Sequence, residues 1–230
     1  MCIRGEIQRM TTTSLKWRKG AALIVLAAFA GCVGLYAGGA LAASGGAQPA
    51  SRQVQAESGA RDFVADMGEK ALSFLKDSSL GEDSKAQQFR RLLENNFDMP
   101  TIARFSLGQY WRQMSPQQQK EYTSLFREYV VKVYSARFRE YSGQTFQTTG
   151  ARKDNATDTI VGSAIQSPGG GDPVSVDWRV RYKNGQYKIV DVIVEGVSMT
   201  LTQRSDFSAV IQKGGGSVQA ILSQLRQQAG

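Results

Sequence analysis

Residues 174–194 read VSVDWRVRYKNGQYKIVDVIV and predict a β-hairpin. Apolar or aromatic residues alternate with polar residues from Val174 to Lys183, which is typical of a strand with one buried face. Asn184-Gly185 then suits a two-residue turn, because both residue types tolerate a positive φ. The return strand runs from Gln186 to Val194. An antiparallel sheet is therefore the framework around which the other elements must be arranged.

The sequence on either side of the hairpin predicts further strands and two groups of helices. Weaker strand patterns cover residues 145–150 and 156–166, and residues 197–201 are expected to extend the sheet. Apolar residues recur at helical spacing from Arg61, from Ser84, over residues 97–107, and again over residues 202–213 and 217–228. We predict an α+β fold in which several N-terminal helices and two C-terminal helices pack on one face of a curved antiparallel sheet.

Capping signals locate two of these helices. Asp98 is suited to cap the helix that follows it, and Pro100 fits a first helical turn, where a missing N–H leaves no hydrogen bond unmade. Ser115 followed by Pro116 and Gln118 has the form of a capping box. The apolar and aromatic spacing after Ser115 predicts a long helix that continues until Gly143.

The first 42 residues have the form of an export signal. A basic segment around Lys16 precedes an apolar run from Ala21 to Tyr36, and Ala40-Leu41-Ala42 offers a signal-peptidase site. An uncleaved membrane anchor and a lipoprotein processed at Cys32 remain as alternatives. We therefore predict a signal peptide at 1–42, a flexible leader at 43–60 and a single domain at 61–230 that lies outside the cytoplasm.

Composition argues against catalysis and against nucleic-acid binding. The net charge of +8 falls to +4 without the signal segment, with 23 basic and 19 acidic residues remaining, which is ordinary for a soluble domain. The chain has no histidine, and both cysteines, Cys2 and Cys32, lie in the predicted signal segment. The common general base and the usual nucleophile pairs are therefore missing, and we expect no enzyme activity, no metal and no cofactor.

Two segments resemble the signature segments of the MlaC-like, or toluene-tolerance, family of periplasmic phospholipid-binding proteins: Phe97 to Arg112, and Asp191 to Ser198. The resemblance extends from about Arg61 to the C-terminus. It implies a carrier that shields the acyl chains of a phospholipid and exchanges it with an inner-membrane ABC transporter complex and an outer-membrane lipoprotein complex. A branch associated with hopanoid biosynthesis (HpnM) would carry a polycyclic triterpenoid instead, and the sequence does not separate these ligands.

The resemblance implies an apolar cavity between helices and sheet, lined by aromatic residues of the long helix and apolar residues of the hairpin. Periodicity alone favours an ordinary packed core instead. The candidate lining comprises Phe105, Trp111, Phe126, Tyr129, Val130, Val133, Tyr134, Phe138, Val176, Trp178, Val180, Val192, Val194, Val197 and Met199. Arg104 and Arg112 are candidate contacts to a lipid headgroup, with surface ion pairing as the alternative.

Two other functions remain as alternatives. A filled core would make the protein a periplasmic adaptor that carries no lipid. Asp191 and Glu195, four residues apart on one strand, could in principle act as paired carboxylates in a hydrolase.

Overall fold

The computed structural model describes residues 48–229, with side chains from Val54 onward. The predicted signal peptide and both cysteines lie outside the described residues. The elements follow in the order α1 (Gln48–Lys76), α2 (Glu82–Asn96), α3 (Met99–Leu107), a 3-10 helix (Gly108–Gln113), α4 (Pro116–Ser135), a 3-10 helix (Phe138–Glu140), β1 (Thr145–Lys153), β2 (Asp158–Gln166), β3 (Val174–Lys183), β4 (Gln186–Val194), β5 (Val197–Ser198), α5 (Met199–Lys213) and α6 (Val218–Ala229).

The sheet is an antiparallel meander in which each strand pairs with the next, in the order β1-β2-β3-β4-β5. The predicted hairpin is confirmed: Tyr182 pairs with Tyr187 across Asn184-Gly185, and both turn residues have positive φ. A β-bulge interrupts the β3–β4 ladder, where Arg179 faces Asp191 but Val180 faces Ile189. Val190 is the extra residue of this bulge. Helices that precede and follow this sheet confirm the predicted α+β fold.

Helix α1 covers the sheet. Val64 and Met67 are buried among Val161 of β2 and other sheet residues. Gly68 allows the close approach, because a Cβ at that position would overlap the ring of Phe146. The helix already begins at Gln48, and Ala60 is fully buried. The expectation of a flexible leader up to residue 60 is therefore wrong from Gln48 onward: the small residues that are typical of a linker also suit a helix that lies close to a sheet.

Helices α3, α4, α5 and α6 form a second packed group. Its interior combines aromatic residues of α4 with aliphatic residues of α6, among them Tyr122, Phe126, Ile221 and Leu225. Ser115 caps α4 as predicted: its hydroxyl accepts from the Gln118 N–H at 3.2 Å, and the Ser115 N–H donates to the Gln118 side chain at 2.9 Å. A capping box of this kind satisfies two N–H groups that would otherwise lack partners.

Two predicted boundaries are wrong. Helix α4 ends at Ser135 and not near Gly143. Phe138 lies in a separate 3-10 helix, where its ring packs on Phe74 and Phe89. Of residues 197–201, only Val197 and Ser198 extend the sheet, as β5, since α5 begins at Met199. Hydrogen bonds to β4 hold the N-terminus of α5, and no local sequence pattern predicts them.

Candidate functional site

The first of the two signature segments is attached to strand β4. Phe97 forms a parallel bridge with Ile189, and the Asp98 N–H donates to the Ile189 carbonyl at 2.9 Å. Asp98 then caps α3 as predicted: its carboxylate accepts from the Thr101 N–H at 3.1 Å and from the Thr101 hydroxyl at 2.7 Å. The start of α3 is thus fixed in the middle of β4.

The second segment is attached two residues further along the same strand. The Asp191 carboxylate accepts from the Ser198 hydroxyl at 2.6 Å, from the Thr200 N–H at 3.1 Å and from the Val192 N–H at 2.9 Å. Ser198 in turn caps α5, because its hydroxyl accepts from the Leu201 N–H at 3.1 Å. Asp191 therefore joins the N-terminus of α5 to β4.

Glu195 has a separate structural role. Its carboxylate accepts from the Ser175 N–H at 2.5 Å, and its own N–H donates to the Ser175 carbonyl at 3.0 Å. Glu195 and Gly196 both have positive φ and form the turn between β4 and β5. Because Asp191 is bonded to the start of α5 and Glu195 to Ser175 at the start of β3, the geometry offers no shared acid–base site, and the hydrolase alternative gains no support.

The buried apolar side chains form two clusters. The first, here the helical cluster, lies among α3 to α6 and includes Tyr122, Phe126 and Phe207. The second, here the sheet cluster, lies between α1 and the sheet and includes Val64, Val180 and Ile189. Helix α2 contributes to both, because Leu93 belongs to the helical cluster and Leu92 to the sheet cluster.

Most of the predicted lining residues fall into one cluster or the other. Trp111, Phe126, Tyr129 and Val130 belong to the helical cluster. Phe138, Trp178, Val180 and Val192 belong to the sheet cluster. Val176 and Val194 are buried and face each other across β3 and β4. The expected arrangement, with the long helix opposite the sheet valines, differs from the structure, in which α1 lies on the sheet and α4 packs on α2, α3 and α6.

The remaining predicted lining residues lie nearer the surface. Phe105 is 51% exposed, Val133 is 37% exposed and Val197 is 36% exposed. Tyr134 and Met199 are partly buried. Arg104 and Arg112 are exposed, and neither forms an ion pair within the described residues.

A boundary between the clusters runs along α2 and the start of α3. Phe89 and Phe97 pack against both clusters. Phe138 meets Phe89 edge to face at 5.3 Å between ring centroids and lies 5.9 Å from Phe74. We call Phe89, Phe97 and Phe138 the aromatic seam. Phe89 and Phe97 were not among the predicted site residues, because their helical spacing alone does not show that two apolar groups meet there.

Comparison with known proteins identifies the family of the chain. The sequence profile of the family described as MlaC protein matches residues 65–227. The chain belongs to the MlaC family. The match contains both signature segments and confirms the resemblance at the level of the family; the hopanoid-associated branch stays a prediction.

The MlaC-family chain also resembles individual proteins. It is 26% identical over 127 residues to the intermembrane phospholipid transport system binding protein MlaC of Haemophilus influenzae, and the aligned part covers 54% of this chain and 58% of that protein. The solved structure of a phospholipid-binding protein from Ralstonia solanacearum in complex with a phospholipid superposes with a TM-score of 0.64 at 23% identity. That superposition covers 74% of this chain and 96% of the Ralstonia chain, and it shows a shared fold.

Two buried side-chain polar atoms among the described residues lack a hydrogen-bond partner, the Tyr122 hydroxyl and the Arg127 Nε. Tyr122 is fully buried in the helical cluster, and its hydroxyl has no hydrogen-bond partner within the described residues. Burial raises the pKa of this phenol well above its ordinary value of 10.0, so the group stays neutral. Aromatic rings surround it, with Phe126 at 6.0 Å, Phe207 at 6.2 Å and Trp111 at 6.3 Å between ring centroids.

The indole N–H of Trp178 in the sheet cluster has a hydrogen-bond partner. The Trp178 Nε1–H donates to the Ser163 hydroxyl at 2.9 Å, and that hydroxyl donates to the Val176 carbonyl at 2.8 Å. Neither this cluster nor any other part of residues 48–229 contains three His, Cys, Asp or Glu side chains placed to hold a metal ion. No helix within the described residues combines the length and the apolar character that a membrane span requires.

Proposed function

We propose that this protein is a periplasmic lipid carrier that binds the acyl chains of a phospholipid between the helical cluster and the sheet cluster. The observation that carries the proposal is the division of the apolar interior into two clusters that meet at the aromatic seam. Membership of the MlaC family supports it, as does the likeness to a Ralstonia protein whose structure contains a phospholipid.

The energy of binding follows from burial. Each methylene removed from water contributes about 0.8 kcal/mol, so two acyl chains give ample affinity without specific polar contacts. The helical wall of the site would be formed by Trp111, Phe126, Tyr129 and Val130, and the sheet wall by Phe138, Trp178, Val180 and Val192. Phe105, Val133, Tyr134, Val176, Val194, Val197 and Met199 remain candidate lining residues, and Arg104 and Arg112 remain candidate headgroup contacts.

The two attachments to β4 suggest how the site opens. The Asp98 N–H attaches the start of α3 to the Ile189 carbonyl, and the Asp191 carboxylate attaches the start of α5 two residues further along the strand, through hydrogen bonds that do not depend on the contact between the clusters. Acyl chains can then separate the clusters at the seam while both helices stay attached to the sheet. Exchange of the cargo with an inner-membrane ABC transporter complex and an outer-membrane lipoprotein complex belongs to the same proposal.

Native mass spectrometry of the protein purified from its host tests the proposal. We expect a bound mass that organic extraction identifies as phospholipid. A triterpenoid mass would favour the hopanoid alternative, and a ligand-free mass would favour the adaptor.

A substitution at the sheet wall locates the site. Val192 is partly buried against the sheet cluster, so Val192→Trp should fill space needed by an acyl chain and reduce lipid occupancy several-fold. Val54→Trp is the matched control, because Val54 is 66% exposed on α1 and outside the proposed site. Circular dichroism confirms folding, and Val192→Phe replaces the tryptophan variant if that variant unfolds. Full occupancy in a folded Val192 variant contradicts the assigned position of the acyl chains.

A further inference from the structure

The end of helix α3 carries cations that lack carboxylate partners. Arg104 and Arg112 each lie four residues from Gly108, and both are exposed. Arg204 of α5 lies over the same glycine, since a Cβ at Gly108 would overlap its guanidinium. None of the three arginines forms an ion pair within residues 48–229. The backbone conformation of Gly108, with φ of 58°, and its missing side chain make room for Arg204 at this point.

Two large apolar side chains accompany these cations. Phe105 is 51% exposed and follows Arg104 directly, and Leu201 is 64% exposed one helical turn before Arg204. A shallow groove of about 470 Å³ on this side of α5 is lined by Leu201, Arg204, Ser205, Ser208, Ala209 and Gln212. We call Arg104, Phe105, Leu201 and Arg204 the basic-aromatic patch.

Acidic residues are missing from this face. Helix α3 and the 3-10 helix after it, residues 99–113, contain no Asp or Glu. The one carboxylate of α5, Asp206, follows Leu201 by five residues and Arg204 by two. At 3.6 residues per turn it therefore lies roughly 140° around the helix from Leu201 and roughly 160° from Arg204. The patch therefore presents positive charge and apolar area without a compensating anion.

We propose that the basic-aromatic patch docks this protein on the surface of an anionic phospholipid bilayer. A basic residue close to an anionic surface gains about 1 kcal/mol, and exposed apolar side chains add affinity by entering the headgroup boundary. A stable protein interface usually buries about 800 Å² on each partner around an apolar centre, whereas two isolated apolar side chains flanked by arginines suit adsorption to a bilayer. The docking goes beyond lipid carriage and does not depend on the identity of the cargo.

Sedimentation with vesicles tests the docking. The purified protein is mixed with vesicles of equal parts phosphatidylcholine and phosphatidylglycerol, or of phosphatidylcholine alone. We expect sedimentation with the anionic vesicles only, and a decrease between about 0.01 M and 0.15 M salt, over which the screening length falls from about 30 to 8 Å. Arg204→Gln should lower the partition coefficient about fivefold, and Arg104→Gln combined with Arg204→Gln about twentyfold. Phe105→Ser should lower it about tenfold.

Lys153→Gln and Lys183→Gln are the matched controls, because both lysines are exposed on strands of the sheet. They should change the partition coefficient less than twofold. Unchanged sedimentation of the double arginine variant overturns the proposal, as does equal binding to neutral vesicles. Failure of the unsubstituted protein to sediment with the anionic vesicles at low salt also overturns it. Lipid occupancy measured by mass spectrometry should be unaffected in Arg204→Gln, because Arg204 is not among the proposed lipid contacts, and this separates a failure of docking from a failure of carriage.

Discussion

Replacement of Asp191 by alanine should destabilise the fold strongly although the side chain is only partly buried. The carboxylate accepts three hydrogen bonds, and two of them, from the Ser198 hydroxyl and the Thr200 N–H, connect β4 to the start of α5. Hydrogen bonds to charged groups contribute about 1.5–3 kcal/mol each when they are shielded from water. Taking the lower value for two partly exposed bonds gives a loss of about 3 kcal/mol in the free energy of unfolding.

Urea denaturation followed by circular dichroism measures this loss. Asp172→Ala is the matched control, since Asp172 is exposed in the loop between β2 and β3, and it should change the free energy of unfolding by less than about 0.5 kcal/mol. Ser198→Ala should cost about 1–2 kcal/mol, because it removes both a helix cap and a donor to Asp191.

A double-mutant cycle then tests the connection itself. If the Asp191 and Ser198 side chains act together, the double variant should be less destabilised than the sum of the single variants, by about 1 kcal/mol or more. A loss below about 1 kcal/mol for Asp191→Ala, or additive effects in the cycle, would refute the idea that this aspartate joins α5 to the sheet.

Three further predictions concern other parts of the structure. Burial raises the pKa of the Asp158 carboxyl, but hydrogen bonds from Arg181 and neighbouring side chains outweigh this effect and hold the pKa below its ordinary 3.8. The stability that this carboxylate contributes should therefore be complete at neutral pH and lost as the pH falls through the lowered pKa. Urea titrations at several pH values should show this dependence, and Asp158→Asn should flatten it. Arg181→Met should cost about 3 kcal/mol at neutral pH, because it leaves a buried carboxylate unpaired, and a loss below about 1 kcal/mol would contradict this account. Phe207→Ala should cost about 4 kcal/mol in urea denaturation, since the ring is buried against Tyr122 and Phe126, whereas an effect near zero would show that the helical cluster is loosely packed.

Local signals in the sequence predicted several elements correctly. The cap at Asp98, the capping box at Ser115 and the turn at Asn184-Gly185 each depend on hydrogen bonds or φ angles within a few residues. Such features are determined by the residues that form them, so they can be predicted without knowledge of the fold. The alternation in β3 likewise gave the inner face of the sheet, where Val176, Trp178 and Val180 lie.

Features that depend on distant contacts were not predictable in the same way. Composition made the segment before Ala60 resemble a linker, yet this residue is fully buried because the sheet lies against α1. Spacing alone extended α4 past Ser135, whereas Phe138 packs on residues of α1 and α2. The predicted placement of the long helix opposite the hairpin differs from the structure for the same reason, since apolar spacing shows that a helix has a buried face but not which element covers it.

The two signature segments attach helices to β4, and their side chains form no paired-carboxylate site. The first segment attaches to β4 at Ile189, and the second attaches through Asp191 of the same strand, on the other side of the bulge at Val190. Each attachment fixes the start of a helix of the helical cluster. Fixed attachment points at one strand and an apolar boundary elsewhere are what a carrier needs if its walls are to separate without unfolding. Substitutions at these attachments should therefore lower the stability of the protein with and without lipid alike, whereas substitutions at Phe89 or Phe138 should change lipid occupancy more than the stability of the lipid-free protein.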